Sequence, residues 1–351
     1  MIGLTSKQIA AEIEAFSARL TQGSRVLAGL GEIESGVSAR EAIYQEDKLT
    51  LYRYQPRAQN LHPVPLLIVY ALVNRPYMMD LQEDRSMIRG LLDAGLDVYL
   101  IDWGYPDAGD RSLTLADYIH RYIDHCVEVL RERHETDTIN LLGVCQGGAL
   151  SLCFAALYPA KIRNLVTMVT PVDFQTPDNL LSQLIRYVDV DLLVDTLGNL
   201  PGQMLNFAFL SLSPFRLAGQ KYVDLTDAFD DAQALKNFLR MEKWIFDSPD
   251  QAGEAFRQFA KDFFQQNKLV KGEVVIGDRR VDLHEVAMPV FNVYATQDHL
   301  VPPSASRALA DCCGSRDYSE FSFRGGHIGI YVSARAQREV PPAIAAWLLA
   351  R

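Results

Sequence analysis

The stretch "LLGVCQGGAL", residues 141–150, decides the fold. It is a buried apolar run that breaks into a Gly-rich turn with one reactive side chain at its apex, followed by small and apolar residues suited to a helix. Gly143-Val144-Cys145-Gln146-Gly147 has the form of the G-x-S-x-G nucleophile elbow, with cysteine in place of serine. A sharp strand-to-helix turn needs small residues, because the backbone is strained and the helix packs close. Gly143, Gly147 and Gly148 meet that need. The helix that begins after Cys145 aims the positive end of its dipole at the sulfur, which favours thiolate.

Working outward, strands and helices alternate. The run "PLLIVYALV" (65–73) is continuously apolar, as a central parallel strand covered on both faces should be. "KLTLYRYQP" (48–56) alternates like a half-exposed strand, and "DVYLID" (97–102) and "LVTMVTP" (165–171) make two more. "DLQEDRSMIRGLLDAG" reads as helical, as does a segment near 114–132, and Ser6 can cap a first helix bearing Ile9, Ile13, Phe16 and Leu20 on one face. This alternation is expected of an α/β-hydrolase fold, a mostly parallel sheet flanked by helices. Between 174 and 286 the apolar spacing turns helical, and the sheet rhythm resumes with "PVFNVYATQD" and "YSEFSFRGGH". Without a linker or repeat, residues 1–351 read as one domain with a helical cap inserted over 174–286.

In this fold the order is nucleophile, acid, histidine, each at or just beyond the C-terminal end of a strand. Asp298 closes "FNVYATQD" and His327 closes "FSFRGGH". Three such residues in order at three strand ends form a catalytic set of Cys145, Asp298 and His327. Asp173, in "TPVDF", is the reserve acid, and Asp102 reads as a loop-organising residue. His299 reads as support for the acid loop. His62, His120, His125, His134 and His284 read as surface residues. Two main-chain donors should serve a developing oxyanion: the N–H of Gln146 and, from the loop "ALVNRP", the N–H of Val73. Arg75 could meet an anionic substrate or simply be a solvated loop arginine.

Bulk properties narrow the class. A composition of 48% hydrophobic and 22% charged residues is that of an ordinary globular protein, well supplied for a core. A net charge of −10 disfavours nucleic acid as a partner. Glu12 and Glu14 sit where a signal peptide would be apolar, and no run is long enough to span a bilayer, so a cytoplasmic protein with no transmembrane segment is expected. Five cysteines without framework spacing argue against a disulfide scaffold, and none has metal-site spacing. Cys126 and Cys153 fall in helical apolar patterns as small hydrophobes. Cys312-Cys313 could pair, although packing at a loop or helix end explains them more simply.

A cysteine nucleophile also speaks to the reaction. Its acyl product is a thioester, close in energy to an incoming acyl-CoA, so the acyl group stays activated for a second acceptor. That favours acyl transfer over hydrolysis, with a Cys-dependent thioesterase or esterase on the same fold as the alternative.

The chain resembles the catalytic subunit of class III polyhydroxyalkanoate synthases. The likeness rests on "YALVNRPYMMDLQEDRSMIRGLLDAGLDVYLIDWGYPDAGDRSLTLADYI", "GVCQGG", "VTPVDF", "MEKWIFDSPDQAGEAFRQF" and "RGGHIGIYVS". The resemblance implies a polymerase that moves short-chain (R)-3-hydroxyacyl groups from CoA onto a growing polyester. Cys145 would hold the nascent chain, His327 would activate its thiol, and Asp298 would either orient His327 or act on the substrate hydroxyl. It further implies an E-type accessory subunit, a homodimer of catalytic subunits, a mobile cap and residence at cytoplasmic polyester granules. Acyl-CoA would be a substrate, and no cofactor or metal is expected.

Overall fold

A computed structural model describes residues 35–212 and 231–351, together with Ala11 and Glu14. The expected Ser6-capped helix lies outside the described residues.

The sheet is built on the apolar runs. Its strands are β1 (Arg40–Glu46), β2 (Leu49–Tyr54), β3 (Leu66–Val69), β4 (Val98–Asp102), β5 (Ile139–Val144), β6 (Ile162–Met168), β7 (Val290–Ala295) and β8 (Tyr318–Phe323). They lie in the order β1-β2-β4-β3-β5-β6-β7-β8. Only the β1–β2 and β2–β4 pairs are antiparallel; from β4 to β8 every pairing is parallel. Along β3, Leu67 and Val69 enter one core while Leu66 and Ile68 enter the other, all fully buried. Both faces are covered, which is why the strand reads as an unbroken apolar run.

One face is covered by α2 (Asp124–Arg133), which continues a π-helical turn at Asp117–Ile123, and by α3 (Gln146–Leu157). The other is covered by α1 (Met87–Asp93) and α9 (Ala334–Leu349), which pack on each other. Helix α1 is shorter than its sequence suggests. Asp80–Gln82 and Arg85–Ser86 instead form a small antiparallel hairpin. Buried Asp80 accepts from the Ser38 hydroxyl at 2.8 Å and the Ser86 hydroxyl at 2.6 Å, and the Ser86 hydroxyl also accepts from the N–H of Arg89. A buried carboxylate satisfied by a distant hydroxyl and by one across its own hairpin holds these residues out of the helix.

The insertion between β6 and β7 carries α4 (Leu180–Ile185), α5 (Val190–Leu197), α6 (Gly202–Ser211), α7 (Ala232–Phe246) and α8 (Gly253–Gln258), which runs into a π-helical segment at Phe259–Gln265. The helical reading of 174–286 holds only that far. Beyond it the chain makes a short hairpin, and Leu269, Val274, Ile276, Val281, Leu283 and Val286 join the core that holds α2 and α3. Their periodicity misled because this stretch is covered on its apolar side by a sheet-backed core, not by a neighbouring cap helix.

Candidate active site

The site forms where four adjacent strands, β5 to β8, present their C-terminal ends, the usual place for chemistry on an open parallel sheet. β5 delivers Cys145, whose backbone has φ 53° and ψ −123°. A side chain rarely adopts this left-handed conformation, which is held here by its surroundings. The Cys145 N–H donates to Met168 O at 2.9 Å, and its carbonyl accepts from the N–H of Gly148 at 2.9 Å. Val169, beside it at the end of β6, is also at positive φ, 44°, pinned by its N–H to Val293 O at 2.8 Å. The glycines are required by contact: a Cβ on Gly147 would press into the carbonyls of Val69 and Tyr70, and one on Gly148 into the Thr170 side chain. The half-buried thiol therefore sits at the first turn of α3, where helix geometry leaves the Gln146 N–H without an intrahelical acceptor.

β7 and β8 deliver the other two groups. His327 Nδ1 lies 2.7 Å from Asp298 Oδ2, and both side chains are buried. Asp298 Oδ1 accepts from the N–H groups of Leu300 and Val301 at 2.8 and 2.9 Å, so the carboxylate is fixed on both oxygens. With Nδ1 engaged, Nε2 is the nitrogen left for the thiol. Burial alone would depress the imidazole's affinity for a proton. The charges of Asp298 and of Cys145, with hydrogen bonds to both, outweigh it and raise His327 to about 10. Tyr331 packs edge-on against His327 and Tyr70 edge-on against Tyr331. Burial pushes both phenols well up, so they stay neutral beside the thiol.

The remaining candidates separate cleanly. Asp173 is away from His327: its Oδ1 accepts from the Asn267 amide at 2.8 Å and the Gln175 N–H at 2.9 Å, tying the end of the insertion to the core. Asp102 organises its loop, accepting from the Gly104 N–H at 3.1 Å and pairing with Arg75 at 2.7 Å. Arg75 also donates to Gly104 O and lies over the Tyr105 ring, so it is neither aimed at the cavity nor a solvated loop residue; it braces the loop after β3. His299 is half-buried and faces the cavity. Val73 lines the cavity, and the Gln146 side chain accepts from the neighbouring Leu72 N–H at 3.1 Å. His120 and His134 are not surface groups but half-buried ties to Tyr158 and Tyr99. Among the described residues all five cysteines are free and no cluster of three or more metal-ligating side chains occurs.

Cys145 and His327 open into a cavity of about 500 Å³. Its floor is the strand ends, and its roof is the insertion, through Leu181, Leu184, Val190, Leu193, Met204 and Trp244 among others. The lining is overwhelmingly apolar, which suits an acyl chain. The sequence pointed to Cys145, Asp298 and His327, which the fold brings to one place, but not to these lining residues or to the polar Asn74, Asn206 and Gln251. The apolar spacing of the cap helices was visible, but not which face of each helix looks inward.

Comparison with known proteins agrees with this fold. The model of the alpha/beta hydrolase fold matches residues 64–334, and that of the poly-beta-hydroxybutyrate polymerase (PhaC) N-terminus matches residues 19–91. Among solved structures, a monoacylglycerol lipase from Paleococcus ferrophilus superposes with a TM-score of 0.53 at 19% identity, covering 86% of this chain and 98% of its own. One of the metagenome-derived lipolytic enzymes LipS and LipT gives 0.52 at 15% identity, covering 83% and 96%. At such identities the likeness is one of fold. Among the described residues no helix is long and apolar enough to cross a membrane. The poly(3-hydroxyalkanoate) polymerase subunit PhaC of Allochromatium vinosum is 61% identical over 99% of this chain and 98% of its own length. That of Thiocystis violacea is 60% identical over 99% and 98%. Identity at that level, spread over nearly the whole of both chains, means that this chain belongs to the PhaC family of poly(3-hydroxyalkanoate) polymerases, on the α/β-hydrolase fold.

Proposed function

We propose that this chain polymerises short-chain (R)-3-hydroxyacyl groups, such as 3-hydroxybutyryl, drawn from CoA. The observation that carries the reading is a cysteine, not a serine, at the elbow, backed by a His–Asp pair and opening into an apolar roofed cavity.

The Cys145 thiolate attacks the thioester carbonyl while the N–H groups of Gln146 and Val73 take the developing oxyanion. The C–S bond to CoA breaks, the leaving sulfur takes a proton from His327, and the acyl group rests on Cys145. Acylation removes the sulfur's charge and its hydrogen bond, two of the influences that hold the His327 proton. The imidazole is then the base for the 3-hydroxyl of the next monomer, which attacks the Cys145 thioester and forms an ester. The lengthened chain, now a CoA thioester, reloads onto Cys145, and one CoA leaves for each ester bond made. Asp298 holds His327 in the tautomer and orientation this needs. His299 supports the Asp298 loop.

The reading extends to a class III enzyme: an E-type accessory subunit, a homodimer of catalytic chains, and residence in the cytoplasm at the polyester granule surface. The reaction as written needs no cofactor. The test is CoA release from (R)-3-hydroxybutyryl-CoA with product analysis in the same vessel, with and without an E-type subunit. Insoluble polyester with stoichiometric CoA is expected. Monomeric 3-hydroxybutyrate alone would make the chain a thioesterase.

A further inference from the structure

The loop after β3 is gripped from two sides. From the core, Gln146 holds the Leu72 N–H and Asp102 holds the Arg75 guanidinium. From the cap, Trp244 Nε1 donates to Arg75 O at 2.7 Å, and Asp247 accepts from Tyr77 at 3.1 Å and from Tyr105, in the loop after β4, at 2.7 Å. Between these anchors lie Val73 and Asn74, both in the cavity wall. Asn74 has φ 61°, in the left-handed region, which asparagine tolerates better than most side chains and which turns its amide toward the cap. Its amide donates to Ser248 Oγ, and Ser248 Oγ donates to Asn206 Oδ1 at 2.8 Å. One short polar chain therefore joins the cavity-wall loop to two separate parts of the cap: Asn206 on α6 and Ser248 just beyond α7.

We propose that Asn74 is a positioning residue that makes oxyanion stabilisation depend on a seated cap, through the Asn74–Ser248–Asn206 chain. The proposal rests on the reading of Val73 as an oxyanion donor and deepens it. With the cap seated, the chain ties the Asn74 side chain to the cap, and the Val73 N–H is bracketed by a core-fixed Leu72 and a cap-fixed Asn74. With the cap displaced, the bond to Ser248 breaks and the loop loses its constraint next to that donor. An open site, which admits water, is then also a site with a loosened oxyanion hole, so hydrolysis of the Cys145 thioester is slowed when water can reach it. The coupled groups are neutral, so the effect is one of geometry, not of charge.

The experiment uses the full chain with Asn74→Gly, which keeps the backbone conformation but removes the amide, with Ser248→Ala, and with both. Three rates or values are read for each: single-turnover CoA release from (R)-3-hydroxybutyryl-CoA, alkylation of Cys145 by iodoacetamide, and the thermal midpoint. Alkylation needs the thiolate but builds no oxyanion. Each single variant should slow acylation roughly tenfold, as misplacement of one donor should. The double variant should lose no more than the worse single one, because the links are in series. Alkylation should stay within about twofold, and the thermal midpoint should not account for the loss. Unchanged acylation, losses that multiply in the double variant, or alkylation that falls in step with acylation would each overturn the coupling. Wild-type enzyme that alkylates but is never acylated would instead strike at the proposed function.

Discussion

The floor of the cavity and its roof are held by different forces. In the floor, strand residues such as Leu66, Leu67, Ile68 and Val69 are fully buried, and a backbone outlier at Cys145 is pinned by hydrogen bonds to the next strand and to its own helix. In the roof, α4, α5 and α6 are short, and Tyr187, Leu192 and Phe207 leave 86%, 64% and 76% of their surface in solvent. The small apolar cluster of Val190, Val194 and Ala260 is supplemented by ion pairs from Arg257 to Asp191 and Asp195 and from Lys261 to Asp191. Strained catalytic geometry persists only over a base that over-determines it, whereas a cover that must admit substrate belongs at the low-stability end of the molecule. Floor and roof meet at the loop after β3, which is why that loop is where coupling between them is expected.

Breaking the floor at its reactive atom has the largest expected effect. Cys145→Ala should lower CoA release by on the order of 10⁴-fold or more, far beyond what any change in its thermal midpoint could account for. A comparable rate in that variant would remove Cys145 from the chemistry.

The charge arrangement comes next. In Cys145→Ala the sulfur's charge and hydrogen bond are gone, so the His327 titration followed by NMR should move to lower pH than in the wild type. Asp298→Asn should move it lower still, because the larger of the two charge contributions is lost. The folded value lies above the free imidazole value of 6.5. Protonated His327 thus adds stability that is complete below about pH 6.5 and fades as pH rises toward 10. The stability gap between the wild type and His327→Gln should narrow across that interval; a gap that widens there would contradict the pairing.

A purely steric break of the floor is smaller. Gly147→Ala puts a methyl against the Val69 and Tyr70 carbonyls, which cannot swing aside as a side chain would. A loss of about 1–3 kcal/mol in denaturant-derived stability is expected, together with slower acylation. The smallest effect belongs to the roof: Leu192→Ser, at a site already mostly in water, should change stability by no more than about 0.5 kcal/mol. A large loss there would mean that the roof is as tightly built as the floor.

What the chain determined by itself is what local chemistry can carry. The elbow announces itself because tight glycines must flank a strained residue within a few positions. The order Cys145, Asp298, His327 was readable because each follows an apolar strand, and the central strands because burial on both faces makes them continuously hydrophobic. Tertiary structure alone decided the rest. Asp80 turns an apparent helix into a hairpin by meeting Ser38 and Ser86, and the stretch after Gln265 deserts the cap for the main core. Arg75 is claimed by Asp102, and Asn74 finds Ser248 and Asn206, partners in distant parts of the chain. Periodicity records which face of an element is apolar. It does not record which polar group, far away in sequence, will arrive to satisfy another, because a single hydrogen bond leaves no repeating pattern to read.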